Sequence, residues 1–152
     1  MFDIVNQSPD VVFLTHNVNC VVNGWTYTQP YWQNVYSQIR NWSASVPIFQ
    51  IGVFNSASAG ETNYAAASAY EAAQQAYVKA LAVTDPNLFY VPIMTDPLGP
   101  WIAGTGSSGA PKSDGNRDVF YDTNGPHPNT KGHLYLGKRM AGGVLAAING
   151  TA

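Results

Sequence analysis

Apolar residues in this chain come in two rhythms, and the alternation between them sets out the fold. Val11-Val12-Phe13-Leu14-Thr15, introduced by Pro9-Asp10, is a continuous apolar run with no polar alternation. A strand covered on both faces of a parallel sheet reads this way. A second strand is read over Pro47 to Phe54, and a third, shorter one over Leu88-Phe89-Tyr90-Val91, limited by Pro92. Between them the period changes. Tyr31, Val35, Tyr36, Ile39 and Trp42 recur at helical spacing and predict a helix over Pro30 to Trp42, with Pro30 in its first turn. Alanine-rich residues from Ala65 to Val83 predict another, with Tyr70, Ala73, Tyr77 and Leu81 on its inner stripe. Ser58 and Glu61 have the spacing of a capping box ahead of it, and Asp85-Pro86-Asn87 ends it. A last helix starts at Asn129 or Thr130 and turns Leu136, Met140, Val144 and Ala147 inward.

Two stretches lack either rhythm. His16 to Cys20 reads as a polar turn, and Thr95 to Asn124, broken by prolines and glycines, reads as a long loop of the kind that carries function. Strand, helix, strand, helix, strand, loop, helix is the order of an α/β layer with parallel strands and right-handed crossovers. One domain over residues 1–152 accounts for it, without internal repeats.

With 45% hydrophobic residues, the chain can fill an ordinary core. Only 11% are charged, against about a quarter in an average protein, so Asn, Gln, Ser, Thr and Gly must supply the polar surface. That composition is common on secreted proteins and gives the expectation of an extracellular location, although Met1 to Ile4 has no signal-peptide character. A net charge of -2 offers no basic footprint for nucleic acid, and no apolar run is long enough to span a membrane. Cys20 stands alone, which excludes an internal disulfide and a cysteine-rich metal site.

The strongest chemical lead is Tyr121 to Asn129, directly ahead of the last helix. Pro126 and Pro128 hold His127 in a stiff, extended segment with Asp122 upstream. Such a histidine is either a fixed catalytic base or a partly exposed loop residue. His127, His133 and Asp122 also form a nominal metal trio, but His133 falls on the helix, and no metal or cofactor is expected. Gly104 to Gly109 spells Gly-x-Gly-x-x-Gly without a strand before it, and with Pro111 where a helix should open, so it reads as a loop. Trp32 and Trp42 read as core; Trp25 and Trp101, taken as loop residues, are candidates to line a cleft. Asn41-Trp42-Ser43 and Asn149-Gly150-Thr151 fit the glycosylation pattern, common by chance in so asparagine-rich a chain.

Asp122 to Gly132 resembles the C-terminal block of the SGNH hydrolases, or GDSL-type esterases, where Asp-x-x-His-Pro precedes the last helix. Pro9 to Leu14 followed by Asn17-Val18-Asn19-Cys20 is similar to that family's strand and Gly-x-Asn-Asp block. The resemblance covers the chain as the C-terminal two-thirds or so of a family domain. It implies a three-layer, flavodoxin-like fold with a parallel sheet. It further implies His127 as general base, Asp122 as its orienting carboxylate and Asn19 as oxyanion donor, with Asn17 at the same turn; Trp101, as a loop tryptophan, is then the candidate to line the substrate cleft. Three positions depart from the family. Asn124 stands where the carboxylate is expected, with Asp122 two residues further back; Asn17 replaces glycine; and Cys20 replaces the closing aspartate.

The Gly-Asp-Ser nucleophile motif occurs nowhere in the chain. The resemblance therefore implies an N-terminally incomplete domain, inactive alone, that would cleave acyl or acetyl esters, carbohydrate esters among them, once a serine is supplied. Self-association or completion by a missing N-terminal segment would then cover the exposed edge of the sheet. The alternative is a non-catalytic module of the same architecture that binds glycan or protein through Trp101.

Overall fold

The computed structural model describes residues 7–15, 18–53, 60–93 and 129–150, with backbone alone at 18, 19, 60–65 and 135. The chain is α/β. Strands β1 (Val12–Thr15), β2 (Ile48–Ile51) and β3 (Leu88–Val91) form a parallel sheet in the order β1-β2-β3. The helices are α1 (Val18–Asn23), α2 (Trp25–Trp42), α3 (Gly60–Ala82) and α4 (Thr130–Ile148). The layering is compatible with a flavodoxin-like fold.

Alternation along each strand divides the core between the two faces of the sheet. On one face Val12, Ile48 and Leu88 pack with Trp25, Trp32 and Ile39 of α2 and Ala67, Tyr70 and Val78 of α3. On the other, Phe49, Ile51, Val91 and Ile93 meet Leu136, Met140, Val144 and Ala147, the α4 residues that helical spacing assigns inward. Phe13, Phe49 and Phe89 stack in a row across the strands on this second face, with centroids 5.4 and 4.9 Å apart. The cover thins toward β1: Phe13 is 39% exposed and Val11 37%, so only the central strand β2 is buried on both faces.

Several elements differ from the expectations. Residues from Val18 are helical rather than a polar turn, and α2 begins at Trp25, well ahead of Pro30. Gly24 separates the two helices with φ at +79°, a conformation that side chains disfavour, and its N–H donates to the carbonyls of Cys20 and Val21, each at 3.1 Å. Pro30 therefore lies inside α2, close enough to its start to remove only one early backbone bond. Tyr31 faces solvent, whereas Trp25 and Thr28 are buried. On α3, Ala73 is exposed and the buried stripe runs through Ala67, Tyr70, Glu71, Gln74 and Val78.

Arg40 fastens the amino-terminal edge of the sheet. Its Nε donates to Asp85 Oδ2 at 2.6 Å, Nη1 to the carbonyls of Val46 at 2.8 Å and Ser43 at 3.3 Å, and Nη2 to the carbonyl of Asn87 at 3.1 Å. Tyr36 donates its hydroxyl to the same carboxylate oxygen at 2.8 Å, and Asn87 N–H donates to Asp85 Oδ1 at 3.0 Å. Burial alone would raise the Asp85 carboxyl, but these donors and the Arg40 charge outweigh it and hold Asp85 below the ordinary carboxylate range. A depressed folded-state value stabilises the fold above the unfolded carboxylate's pKa, and that contribution disappears as pH falls through the folded value. We expect Asp85→Asn to lower stability by about 3 kcal/mol at neutral pH, since it leaves a partly buried guanidinium uncompensated. The deficit should begin to shrink below about pH 4, where the unfolded-state carboxylate takes up its proton, and go on shrinking until the depressed folded-state carboxyl is protonated too, as read from denaturant midpoints across the acid range.

Candidate functional site

In open parallel sheets the carboxyl ends of the strands are where ligands collect, and here that edge is formed by the residues following Thr15, Ile51 and Val91. Asn19 lies in the first turn of α1, immediately after β1. Its side chain is outside the described residues, as are His127, Asp122, Asn124, Asn17 and Trp101 in full.

The helix behind His127 is well defined at its start. Asn129 is the N-cap of α4, in an extended conformation with φ -77°, and its Oδ1 accepts from Gly132 N–H at 3.0 Å. Asparagine is a good cap because its short side chain reaches an amide that the first helical turn leaves unpaired. His133 is exposed on this helix, and no trio of His, Cys, Asp or Glu gathers among the described residues; His127 and Asp122 of the nominal metal set lie outside them. Trp25 does not line a cleft. It is 9% exposed, the first residue of α2, and packs edge-on against Tyr70 with centroids 5.6 Å apart.

Residues that hydrophobic patterning does not single out hold this end of the sheet. Glu71 and Gln74, both fully buried on α3, reach toward the strands. Glu71 Oε1 accepts from Ile93 N–H at 2.9 Å, two residues past the end of β3. Its carboxylate also lies over Gly52, where an added Cβ would sit 2.6 Å from Glu71 Cδ and 2.9 Å from Ile93 N. Only glycine fits that close approach. One buried carboxylate thus ties α3 to the chain leaving β3, and packs against the chain leaving β2.

A polar layer continues behind it. Tyr90 donates its hydroxyl to Gln74 Oε1 at 2.9 Å. Burial, with the nearby Glu71 charge adding to it, drives the Tyr90 phenol far above its ordinary pKa, so it remains a neutral donor. Trp32 donates its indole N–H to Gln50 Oε1 at 2.5 Å, and Gln50 Nε2 donates to the Ile51 carbonyl at 2.6 Å. Gln50 was visible in the sequence as the one polar side chain inside the apolar run from Pro47 to Phe54. Glu71 and Gln74 gave no comparable signal, because alanines surround them and polar residues on a helix normally face water.

Comparison with family models, with curated proteins and with solved structures gives no match in any of the three.

Two outcomes follow from this geometry. Gly52→Ala should cost about 1–3 kcal/mol, the usual range for forcing volume into a packed interior, with reduced exchange protection at the Ile93 amide. Tyr70 shares a 2.7 Å hydroxyl contact with Thr28, and burial, the dominant influence, pushes its phenol up to about 12. Its neutral form is favoured by folding, so the Tyr70 contribution to stability should be constant below about pH 10 and be lost between there and the folded value. Tyr70→Phe should flatten that alkaline loss in urea titrations.

Proposed function

We propose that the chain forms the C-terminal part of an SGNH-type ester hydrolase fold, with its nucleophilic serine supplied by residues other than these. The observation that carries the reading is the order of elements around the two motifs. Asn19 stands on the first turn after β1 of a parallel sheet, and His127-Pro128 directly precedes the Asn129 cap of the last helix. That is the arrangement the family resemblance requires of its oxyanion and histidine blocks.

In this reading the incoming serine hydroxyl gives its proton to His127 as its oxygen bonds to the ester carbonyl carbon. The side-chain amide of Asn19 donates to the resulting oxyanion, a contact worth about 3 kcal/mol of barrier. Collapse of the intermediate breaks the ester C–O bond, and His127 returns the proton to the departing alcohol. Water then releases the acyl group by the same route. Asp122 orients the imidazole. Acyl or acetyl esters, those on carbohydrate included, are the substrate class.

Nuclear Overhauser contacts between the Asn19 carboxamide and the His127 ring are expected in the isolated chain; their absence, with both groups assigned, would remove the hydrolase reading. A fluorophosphonate probe should label no serine of the chain by itself. Covalent labelling of Ser56, Ser58, Ser107 or Ser108 would show instead that the nucleophile is internal.

A further inference from the structure

The solvent face of α2 carries an unusual line of side chains. Tyr27, Tyr31, Asn34, Gln38 and Asn41 are all exposed, and their helical spacing sets them one above the other. At the rise of an α-helix the line runs for about 21 Å. A helix surface that meets water normally mixes charged residues into such a face. Here no Asp, Glu, Lys or Arg occurs between Asp10 and Arg40, and Arg40 itself is turned onto Asp85.

The first part of the line is aromatic. Tyr27 and Tyr31 are 58% and 62% exposed, with ring centroids 5.6 Å apart and planes inclined at 48°. Hydrogen bonding with Tyr27 is the main influence that raises the Tyr31 phenol above its ordinary pKa, so the pair adds no charge to the line. The same helical turns are fixed from behind. Trp25, Thr28 and Trp32 are buried, and the Thr28 hydroxyl meets that of Tyr70 at 2.7 Å. Two tyrosines and three carboxamides are thus presented in a row on a rigid mount, which lowers the ordering cost of binding along it.

We propose that this face of α2 binds a neutral, extended oligosaccharide, with pyranose rings stacked on Tyr27 and Tyr31 and sugar hydroxyls bonded to Asn34, Gln38 and Asn41. The chemistry of the line selects this occupant. A pyranose ring turns C–H groups to its faces, which suit an aromatic ring, and hydroxyls to its rim, which both donate and accept, as a carboxamide does. A nucleic-acid strand would also stack on the tyrosines, but its phosphates need cations and none of the five side chains is one. A charged peptide likewise meets no counter-charge on them. A second copy of the chain would gain only two rings on each side, far short of the roughly 1,200 Å² that a stable interface buries. Because the line is straight, an extended β-1,4-linked chain fits it better than a coiled α-1,4-linked one. No residue of the proposed ester site takes part, so the two readings can fail separately.

The test uses the full chain, isotopically labelled and titrated with cellohexaose and with maltohexaose, its coiled isomer. Cellohexaose should shift the backbone amides of Tyr27 and Tyr31 and the carboxamide groups of Asn34 and Gln38 in a saturable manner, and maltohexaose should bind more weakly. Tyr27→Ala and Tyr31→Ala should each weaken cellohexaose binding by about tenfold, the upper end of what one aromatic contact contributes. Both positions are exposed, so these variants should keep the parent's denaturant midpoint. Tyr27→Phe, which retains the ring, should keep most of the binding. Absence of shifts at millimolar cellohexaose would overturn the proposal, as would equal binding of maltohexaose, a loss in Tyr27→Phe as large as in Tyr27→Ala, or full binding by the double alanine variant. Concentration-dependent shifts of the same residues without sugar would identify a contact between copies and would also overturn it.

Discussion

A guanidinium that bonds three backbone carbonyls and a carboxylate at once sets the geometry of everything at one end of this sheet. Arg40 lies in the last turn of α2, Val46 leads into β2, and Asn87 leads into β3, so a single side chain fixes where two strands begin relative to the helix that covers them. Arginine suits the task because its five donors are rigidly disposed and it never loses its charge. In a chain with 11% charged residues, this pair is the salt bridge among the described residues, with side chains 15% and 10% exposed. The desolvation of Asp85 is offset by several donors rather than one, which is what makes partial burial tolerable.

The opposite end is held by a different device. Where Arg40 gathers carbonyls at the starts of the strands, Glu71 takes an amide beyond the end of β3 and lies against Gly52 just past β2. Between Arg40 and Glu71 runs the polar layer of Trp32, Gln50, Gln74 and Tyr90. Polar groups so deeply buried are tolerated because each is hydrogen-bonded, and their directionality restricts α2 and α3 to one placement over the sheet. The apolar clusters supply most of the driving force; the polar contacts select the register.

Much of this fold was legible in the sequence. Three mainly apolar runs became three parallel strands, and the inward residues of α4, with Asn129 as its cap, were readable from spacing and cap chemistry alone. What escaped detection has physical causes. The start of α2 was hidden because Pro30 looks like a first-turn proline, whereas Gly24, with its positive φ, is the true break. The inner stripe of α3 was blurred because alanine on every side leaves no contrast between faces, and because Glu71 and Gln74 serve strand ends that only the folded sheet brings near them. For the candidate ester site, sequence order carried the inference, and among its residues only the backbone of Asn19 is described.

The two faces of the sheet differ in their chromophores. Among the described residues, indole and phenol rings crowd the side covered by α2 and α3, where Trp25, Trp32, Tyr70 and Tyr77 lie with centroids 5.6 to 6.4 Å apart, while the side under α4 carries a row of phenylalanines. Ultraviolet emission from Trp25 and Trp32 therefore senses the layer under α2 and α3. Docking of the last helix onto its phenylalanine floor is thus not reported directly by Trp25 and Trp32, whose emission follows assembly of their own layer.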